Sequence, residues 1–385
     1  MQPVSAYKLN NKLYKAKPES TLQIAVIVPV KNEEDGLIRT LDALRRQVDE
    51  HGKSLHSSIY EVLLLANNCN DNTYLFAESY QAKYPEFNLH IAQIDIPEPD
   101  AHIGTVRRLM MDEAYERFIS IGHLFGIIVS TDGDSEVDSQ WIHYILMEMA
   151  KGNDVVGGRI LPRDTPALSK IHHLRDVSYR YHVSRLESIL DPCHSDPWPR
   201  HFQCYGPSLA VTCDIYHKAG RIPAIPYLED EEFRKALYRI DAKVRKSPLV
   251  KVYTSARLIG KVDFGFSVQL QQWGLMTLEN QQQQVEPLIS LIKKTTLKNT
   301  LRQLWNIKSE LLIDDSRLEA SSAELMLDLQ WLYVNIENCG YFGELWELIE
   351  EQLAKGNWRK LNALEPITQV ISHFRQYFSA ISLAS

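Results

Sequence analysis

An unbroken run of apolar, mostly β-branched residues, IAVIVPV at 24–30, is followed at once by the polar stretch KNEE. Such a run is typical of a strand that is buried on both faces of a sheet. Two further runs, YEVLLLANN at 60–68 and FGIIVSTD at 125–132, also end in polar residues, and segments with helical apolar spacing separate them. The alternation predicts an α/β domain with a mostly parallel central sheet between residues 22 and 160.

The third run leads into two carboxylates, Asp132 and Asp134, that are separated by one glycine. Ligands of parallel sheets bind outside the carboxyl ends of the strands, which is where this pair is expected to lie. Two carboxylates so close repel each other, and a hard cation such as Mg2+ or Mn2+ would join them. The alternative is a polar loop in which Asp and Gly are simply good turn formers.

Composition narrows the class of protein further. The chain has 385 residues, of which 44% are hydrophobic and 24% charged, and this fits a globular protein of two or so domains. A net charge of −7 argues against a nucleic-acid partner. The sequence has no run of 18 apolar residues, no apolar signal-like segment at its start and no C-x-x-C pair among five cysteines. We expect a cytoplasmic protein, with peripheral association with a membrane left open.

The second half of the chain changes character twice. A long helix is predicted over 166–190, followed by a Pro-rich loop at 191–206 and another helix near 229–240. After QQQQ at 281–284 the chain is rich in Leu and Trp at helical spacing. The predicted organisation is an N-terminal extension (1–21), a main domain (22–275, with halves 22–160 and 161–275) and a helical C-terminal region (285–385).

Five motifs in order give the chain a resemblance to a known family. They are VIVPVKNEE, NNCNDNT, STDGDS, YGPSLAV and YLEDEEF. Together they resemble the family-2 glycosyltransferases of the GT-A fold, over roughly residues 22–275. The resemblance implies a GT-A domain that binds a nucleotide-sugar donor, and it leaves the helical C-terminal region uncovered.

The resemblance also implies roles for individual residues of the donor site. Asp134 is expected to bind the metal directly, with Asp132 nearer the ribose or a bound water, and a third ligand has no clear counterpart. Asn67 stands where the family has an Asp that accepts from uracil, and since an amide also donates, uridine specificity stays open. The residues expected to bind the nucleotide sugar are Pro29, Lys31, Asn32, Glu33, Asn67, Gly104, Arg107, Asp132, Gly133, Asp134 and Arg257.

Two of these assignments have structural alternatives. Glu33 belongs to an acidic stretch that can simply favour the start of a helix. Arg107 can belong to a solvated helix face.

Catalysis and acceptor binding are assigned in the same way. Asp230 is the expected catalytic base and Glu229 the second candidate, and the alternative is an acidic first helical turn. The acceptor side is expected to include His201, Tyr205, Gly206 and Trp273. Structural packing is the alternative for His201 and for Trp273.

The predicted function is transfer of a sugar from a nucleotide-diphosphate sugar to an acceptor hydroxyl, with Mg2+ or Mn2+ as cofactor. A UDP-sugar is favoured and a GDP-sugar is the alternative; the acceptor is a small molecule, a lipid or a saccharide, and the oligomeric state is open. One other function considered is a nucleotidyltransferase, which would want a G-x-G-x-R loop that the first strand lacks. Another is an inactive GT-A module that serves as a scaffold.

Overall fold

The computed structural model describes residues 13–258 and 265–384. Its strands are β1 (Ile24–Val30), β2 (Tyr60–Asn67), β3 (Leu89–Ile94), β4 (Ile127–Ser130), β5 (Ser135–Val137), β6 (Val155–Pro162), β7 (Leu209–Thr212), β8 (Val244–Thr254), β9 (Gln284–Val285) and β10 (Glu365–Pro366). Its helices are α1 (Leu37–Arg45), α2 (Thr73–Lys83), α3 (Ile103–Ser120), α4 (Trp141–Ala150), α5 (Ala167–Leu190), α6 (Cys213–Lys218), α7 (Glu229–Arg239), α8 (Phe266–Leu278), α9 (Leu288–Asn306), α10 (Ser316–Leu325), α11 (Leu329–Asn338), α12 (Phe342–Lys355), α13 (Trp358–Leu361) and α14 (Ile367–Ala384).

Eight of these strands form one sheet in the order β3-β2-β1-β4-β7-β6-β8-β5. The pairs β1–β2, β2–β3, β1–β4 and β6–β8 are parallel, whereas β4–β7, β6–β7 and β5–β8 are antiparallel. The α/β class with a mostly parallel sheet and C-terminal helices is therefore confirmed. The antiparallel β7, which separates β4 from β6, was not predicted at this place in the sheet.

Register explains how distant motifs meet at one end of this sheet. Ile27 of β1 pairs with Ser130 of β4, and Ser130 also pairs with Leu209 of β7. Because β7 runs against β4, the residues that precede Leu209 lie beside the residues that follow Ser130. The stretch YGPS, which precedes β7, is thus placed next to the turn between Ser130 and Ser135.

The core of the sheet domain is built from the apolar runs that predicted it. Every residue of β1 and of β2 is buried. Helix α1 packs Leu37, Leu41 and Leu44 into this core at helical spacing.

The chain divides into two compact units. The first comprises the described residues up to Asp164 together with Gln203–Leu237 and Ala242–Arg257, and it contains the eight-stranded sheet. The second comprises Thr165–Phe202, Tyr238–Asp241 and the described residues from Leu258 onward.

The second unit is helical, with two apolar clusters. One lies among helices α9 to α13 and includes Leu301, Leu345 and Ile349. The other joins Leu186 of α5 to Leu291 of α9 and to Phe374 of α14. None of the helices described, in either unit, has the length and apolar character that a membrane span requires.

Candidate functional site

The turn that follows β4 is pinned against the end of β1. The carbonyl oxygen of Gly133 accepts a hydrogen bond from Oγ1 of Thr40 at 2.9 Å. A Cβ on Gly133 would lie 2.6 Å from Cγ1 of Val30 and 3.2 Å from the carbonyl oxygen of Pro29. Only glycine fits at this approach, so the residue between the two aspartates fixes where their carboxylates lie.

The loop after β1 is held by the loop after β2. Asn32 has a left-handed backbone with φ of 54°, and its Oδ1 accepts from the backbone N–H of Asn70 at 2.9 Å. The backbone N–H of Glu33, two residues after Lys31, donates to Oγ1 of Thr73 at 2.7 Å. Asn67 is buried at the end of β2. The structure therefore places these predicted donor residues at the carboxyl ends of neighbouring strands.

Arg257 follows β8 and contacts both the loop after β1 and the turn after β4. Its Nη1 donates to Oε2 of Glu33 at 3.3 Å, and its Nη2 lies 3.2 Å from Oδ2 of Asp134. Burial alone would lower the pKa of Arg257, but the hydrogen bonds to Glu33 and the charge of Asp134 outweigh it and raise that pKa. The guanidinium stays charged and offsets part of the negative charge of the two carboxylates.

Arg107 of α3 makes a second, more deeply buried connection. Its Nη2 donates to Oδ1 of Asp132 at 2.7 Å, and its Nη1 donates to Oε1 of Glu229. The side chains of Arg107 and Glu229 are only 4% and 5% exposed, whereas that of Asp132 is 30% exposed. Desolvation raises the pKa of Glu229 and that of Asp132 above their ordinary values, and the charge of Arg107 opposes both rises.

Asp230, which follows Glu229 in the first turn of α7, is oriented by backbone hydrogen bonds. Its Oδ2 accepts from the N–H of Gly206 at 2.8 Å, and its Oδ1 accepts from the N–H of Glu231 at 2.8 Å. Each oxygen keeps a second lone pair for a further donor. The carboxylate is thus fixed in direction without being saturated.

Gly104 and Gly206 are both required by close packing within the protein. A Cβ on Gly104 would lie 2.0 Å from the carbonyl oxygen of Ile225. A Cβ on Gly206 would lie 2.5 Å from Nη1 of Arg107. The close approach at Gly104 is therefore made to the chain itself, and a role of Gly104 in donor binding stays a prediction.

The site also contains groups that motif reasoning missed. The side-chain oxygens of Ser130, Thr131 and Ser135 are buried and have no hydrogen-bond partner within the described residues. All three flank the aspartates in the motif STDGDS, and their hydroxyl character was the available signal. Unsatisfied buried hydroxyls are uncommon, and an ordered water or ion is one of the partners that can complete them.

The residues around this turn suit a hard divalent cation. Asp132 and Asp134 supply carboxylate oxygens on one turn, and the unpartnered hydroxyls lie in the same segment. Across the described residues, no three His, Cys, Asp or Glu side chains converge as a ready ligand set. The remaining ligands of a cation at this turn would therefore be water or oxygens of a bound nucleotide. Such a cation would compete with Arg257 for Asp134.

The residues predicted to bind the acceptor are divided between the two units. Tyr205 immediately precedes Gly206 in the first unit. His201 and Trp273 belong to the second unit and are buried there. The carbonyl oxygen of His201 accepts a hydrogen bond from Oγ of Ser184 at 3.0 Å. The centre of the Trp273 ring lies 5.6 Å from that of the His173 ring. Their part in acceptor binding stays a prediction.

Comparison with solved structures gives weak likenesses only. S. aureus TarS 1–349 in complex with UDP-GlcNAc is 12% identical, with a TM-score of 0.46, and the match covers 87% of this chain and 92% of that one. The mannosyltransferase PcManGT from Pyrobaculum calidifontis, in complex with GDP-Man and Mn2+, is 13% identical, with a TM-score of 0.42 and coverages of 96% and 90%. At such low identity and TM-score these likenesses decide nothing about donor or acceptor.

Comparison with sequences gives one family and no individual relative. No curated protein matches the chain. The family model described as glycosyl transferase family 2 matches residues 25–197, which include β1 from its second residue, β2 to β4 and the turn with Asp132 and Asp134. Residues 25–197 thus match glycosyl transferase family 2, and this match supports a glycosyltransferase enzyme.

Proposed function

We propose that the chain transfers a sugar from a nucleoside-diphosphate sugar to an acceptor hydroxyl by a single inverting displacement. One observation carries the proposal. The predicted donor turn with Asp132 and the predicted base motif with Asp230 are joined through Arg107 and Gly206 at one end of the sheet. A donor-binding carboxylate pair and an oriented base within one connected set of side chains is what such a transfer needs.

The donor's diphosphate calls for positive charge at this end of the sheet. Arg257 can exchange its contacts with Glu33 and Asp134 for the diphosphate oxygens, since a guanidinium forms paired hydrogen bonds with phosphate. The released Glu33 is then available to the ribose, and Asn67 to the base. We infer a UDP-sugar as the favoured donor, with a GDP-sugar as the alternative.

Asp134 and Asp132 would hold the divalent cation, Mg2+ or Mn2+. Such a cation, when bound, neutralises charge on the leaving diphosphate. The chain's own contribution is to hold the two carboxylates on a turn that Gly133 fixes against β1.

Asp230 is the proposed base. The acceptor hydroxyl oxygen attacks the anomeric carbon and gives its proton to Asp230, while the bond to the diphosphate breaks and the diphosphate leaves with the electron pair. Proton transfer of this kind contributes about 10²–10⁴-fold to a rate. Glu229, the second candidate, is occupied by Arg107, which favours Asp230.

Binding of nucleoside diphosphates tests the donor assignment without knowledge of the acceptor. Thermal unfolding is measured with UDP, GDP, ADP and CDP, each with and without Mn2+. A ligand that binds only the folded state raises the unfolding midpoint by mass action. We expect the largest rise with UDP plus Mn2+, and a protein that responds to none of the four would contradict the proposal.

The metal assignment is tested on Asp134. We expect Asp134→Ala to bind the nucleotide as weakly with Mn2+ as wild type binds it in EDTA. Nucleotide binding by wild type that is tight and indifferent to EDTA would exclude a metal at this turn.

A further inference from the structure

Arg107 occupies an unusual position for a residue expected to bind the donor. Both of its terminal nitrogens are used by the protein, Nη2 by Asp132 and Nη1 by Glu229. Its Nε is buried and has no hydrogen-bond partner within the described residues. A side chain that is 4% exposed and already engaged with two carboxylates offers little surface to a diphosphate.

The neighbours of this guanidinium bear directly on the proposed base. Gly206 lies so close that a Cβ there would be 2.5 Å from Nη1 of Arg107, and the N–H of Gly206 holds Oδ2 of Asp230 at 2.8 Å. Glu229, the other partner of Arg107, is the residue before Asp230. Arg107 therefore touches the residue that precedes the base and the residue that holds it.

Buried charge makes this arrangement rigid. Without the guanidinium, the buried carboxylate of Glu229 would be an uncompensated charge in a region of low polarity. The side chains of Arg107 and Glu229 are both almost fully buried, so the start of α7 has little freedom to move relative to α3. On the opposite side the same guanidinium is bonded to Asp132 of the donor turn.

We propose that Arg107, through its ion pair with Glu229, is a positioning residue that sets Asp230 against the donor turn, and that it is not a ligand of the donor. This inference rests on the proposed function, because it assigns Asp230 the role of base. It gives Glu229 a positioning role as well. A misplacement of about 1 Å between reacting groups can cost about 10²-fold in rate, which is the size of effect such a residue controls.

A double-mutant cycle tests the ion pair itself and needs no substrate. Arg107→Met and Glu229→Gln are made singly and together, and thermal unfolding is followed for all four proteins. Arg107→Met is expected to unfold at a clearly lower temperature because it strands the buried charge of Glu229, whereas Glu229→Gln leaves Arg107 paired with Asp132 and should cost less. The double variant is expected to recover part of the loss of Arg107→Met, because a neutral side chain at position 229 leaves no buried charge there. If the stability losses of the two single variants simply add in the double variant, Arg107 and Glu229 do not interact in the way proposed.

Kinetics of the double variant then separate positioning from donor binding. We expect its donor KM to stay within about 2-fold of wild type while kcat falls about 10²-fold. Arg108→Met is the matched control, since Arg108 lies next on the same helix and pairs with Asp112 and not with Glu229 or Asp230. Its kcat is expected to change less than about 3-fold.

Three results would overturn the inference. A donor KM that rises in the double variant with kcat preserved would make Arg107 a donor ligand. A kcat equal to wild type in the folded double variant would leave the pair with a purely structural role. The same drop in kcat in Arg108→Met would show a general effect of altering α3. Absence of transfer by wild type would count against the proposed function, and the unfolding cycle would still decide on the pair.

Discussion

Nη2 of Arg257 lies 3.2 Å from Oδ2 of Asp134, the carboxylate that we propose as the direct metal ligand. The same guanidinium holds Glu33, which we propose for the ribose. Arg257 thus places positive charge beside Asp134 and Glu33, in addition to that of Arg107 beside Asp132. Under the proposed function, binding of metal and donor would draw the guanidinium of Arg257 away from both carboxylates.

Removing Arg257 is expected to separate the two binding steps. In Arg257→Gln, Mn2+ should bind the nucleotide-free protein about 2–5-fold more tightly, because an ion pair of this exposure is worth less than about 1 kcal/mol. Nucleoside diphosphate should bind more weakly, since the variant lacks the guanidinium proposed for its phosphates. Both affinities are measured by titration calorimetry.

Arg46→Gln is the control for that measurement, because Arg46 is an exposed arginine that pairs with Asp42 on α1. It should leave both affinities unchanged. If Arg257→Gln weakens Mn2+ binding in the absence of nucleotide, Arg257 does not compete with the cation.

A buried ion pair in the core of the first unit should dominate its acid sensitivity. Arg117 of α3 donates to both carboxylate oxygens of Glu61 on β2, through Nε at 2.7 Å and through Nη2. Burial alone would raise the pKa of Glu61, but the bonds and charges of Arg117 and His90 outweigh burial and lower it. Glu61→Gln at neutral pH should lower the free energy of unfolding by about 3–5 kcal/mol, as removal of one partner of a buried pair does.

The pH dependence of this effect has a definite sign. Because the pKa of Glu61 is lowered on folding, its contribution is present above the unfolded-state pKa of about 4.3 and is lost as the pH falls through the lower folded-state pKa. Denaturant unfolding at several pH values should show wild type and Glu61→Gln converging at acid pH. Glu116→Gln changes an exposed residue of α3, the helix that carries Arg117, and should follow the wild-type profile throughout.

The sequence predicted the sheet-forming half of the chain well because its strands are buried on both faces. β1 and β2 are continuous apolar runs, and such runs identify strands without knowledge of their partners. Strand order is a different matter, since it depends on contacts between distant segments. The placement of the antiparallel β7 between β4 and β6 follows from no local pattern.

The candidate site shows the same division. Asp132, Asp134 and Asp230 were selected by motif, because the residue types and their spacing carry the information. The ion pair between Arg107 and Glu229 spans 122 positions and joins residues expected to serve different substrates. Only the fold reveals that one of these side chains is used to hold the other.

The apolar cluster that joins α5 to α9 and α14 allows a test of the predicted boundary between residues 275 and 285. Phe374 of α14 is fully buried and packs in one cluster with Leu186 of α5. Phe374→Ala should destabilise the second unit by about 3–5 kcal/mol, whereas Leu361→Ala, at a 71% exposed site, should change little. Denaturant unfolding measures both.

A chain that ends at residue 280 extends this test. It removes Leu291 and Phe374 from the cluster and uncovers Leu186, so we expect an aggregating protein. A soluble, monomeric product that still binds nucleotide would instead support the helical region as an independent appendage.

The most direct test of the proposed mechanism follows transfer to water by proton NMR, which needs no identified acceptor. Wild type is mixed with an α-linked UDP-sugar and Mn2+, and the anomeric signals of the released sugar are recorded before they equilibrate. We predict that the β-anomer forms first and that Asp230→Asn, which keeps the shape but not the basicity of the side chain, binds UDP like wild type and releases sugar at least about 10²-fold more slowly. Initial release of the α-anomer, or unchanged release by Asp230→Asn, would contradict a single displacement with Asp230 as base.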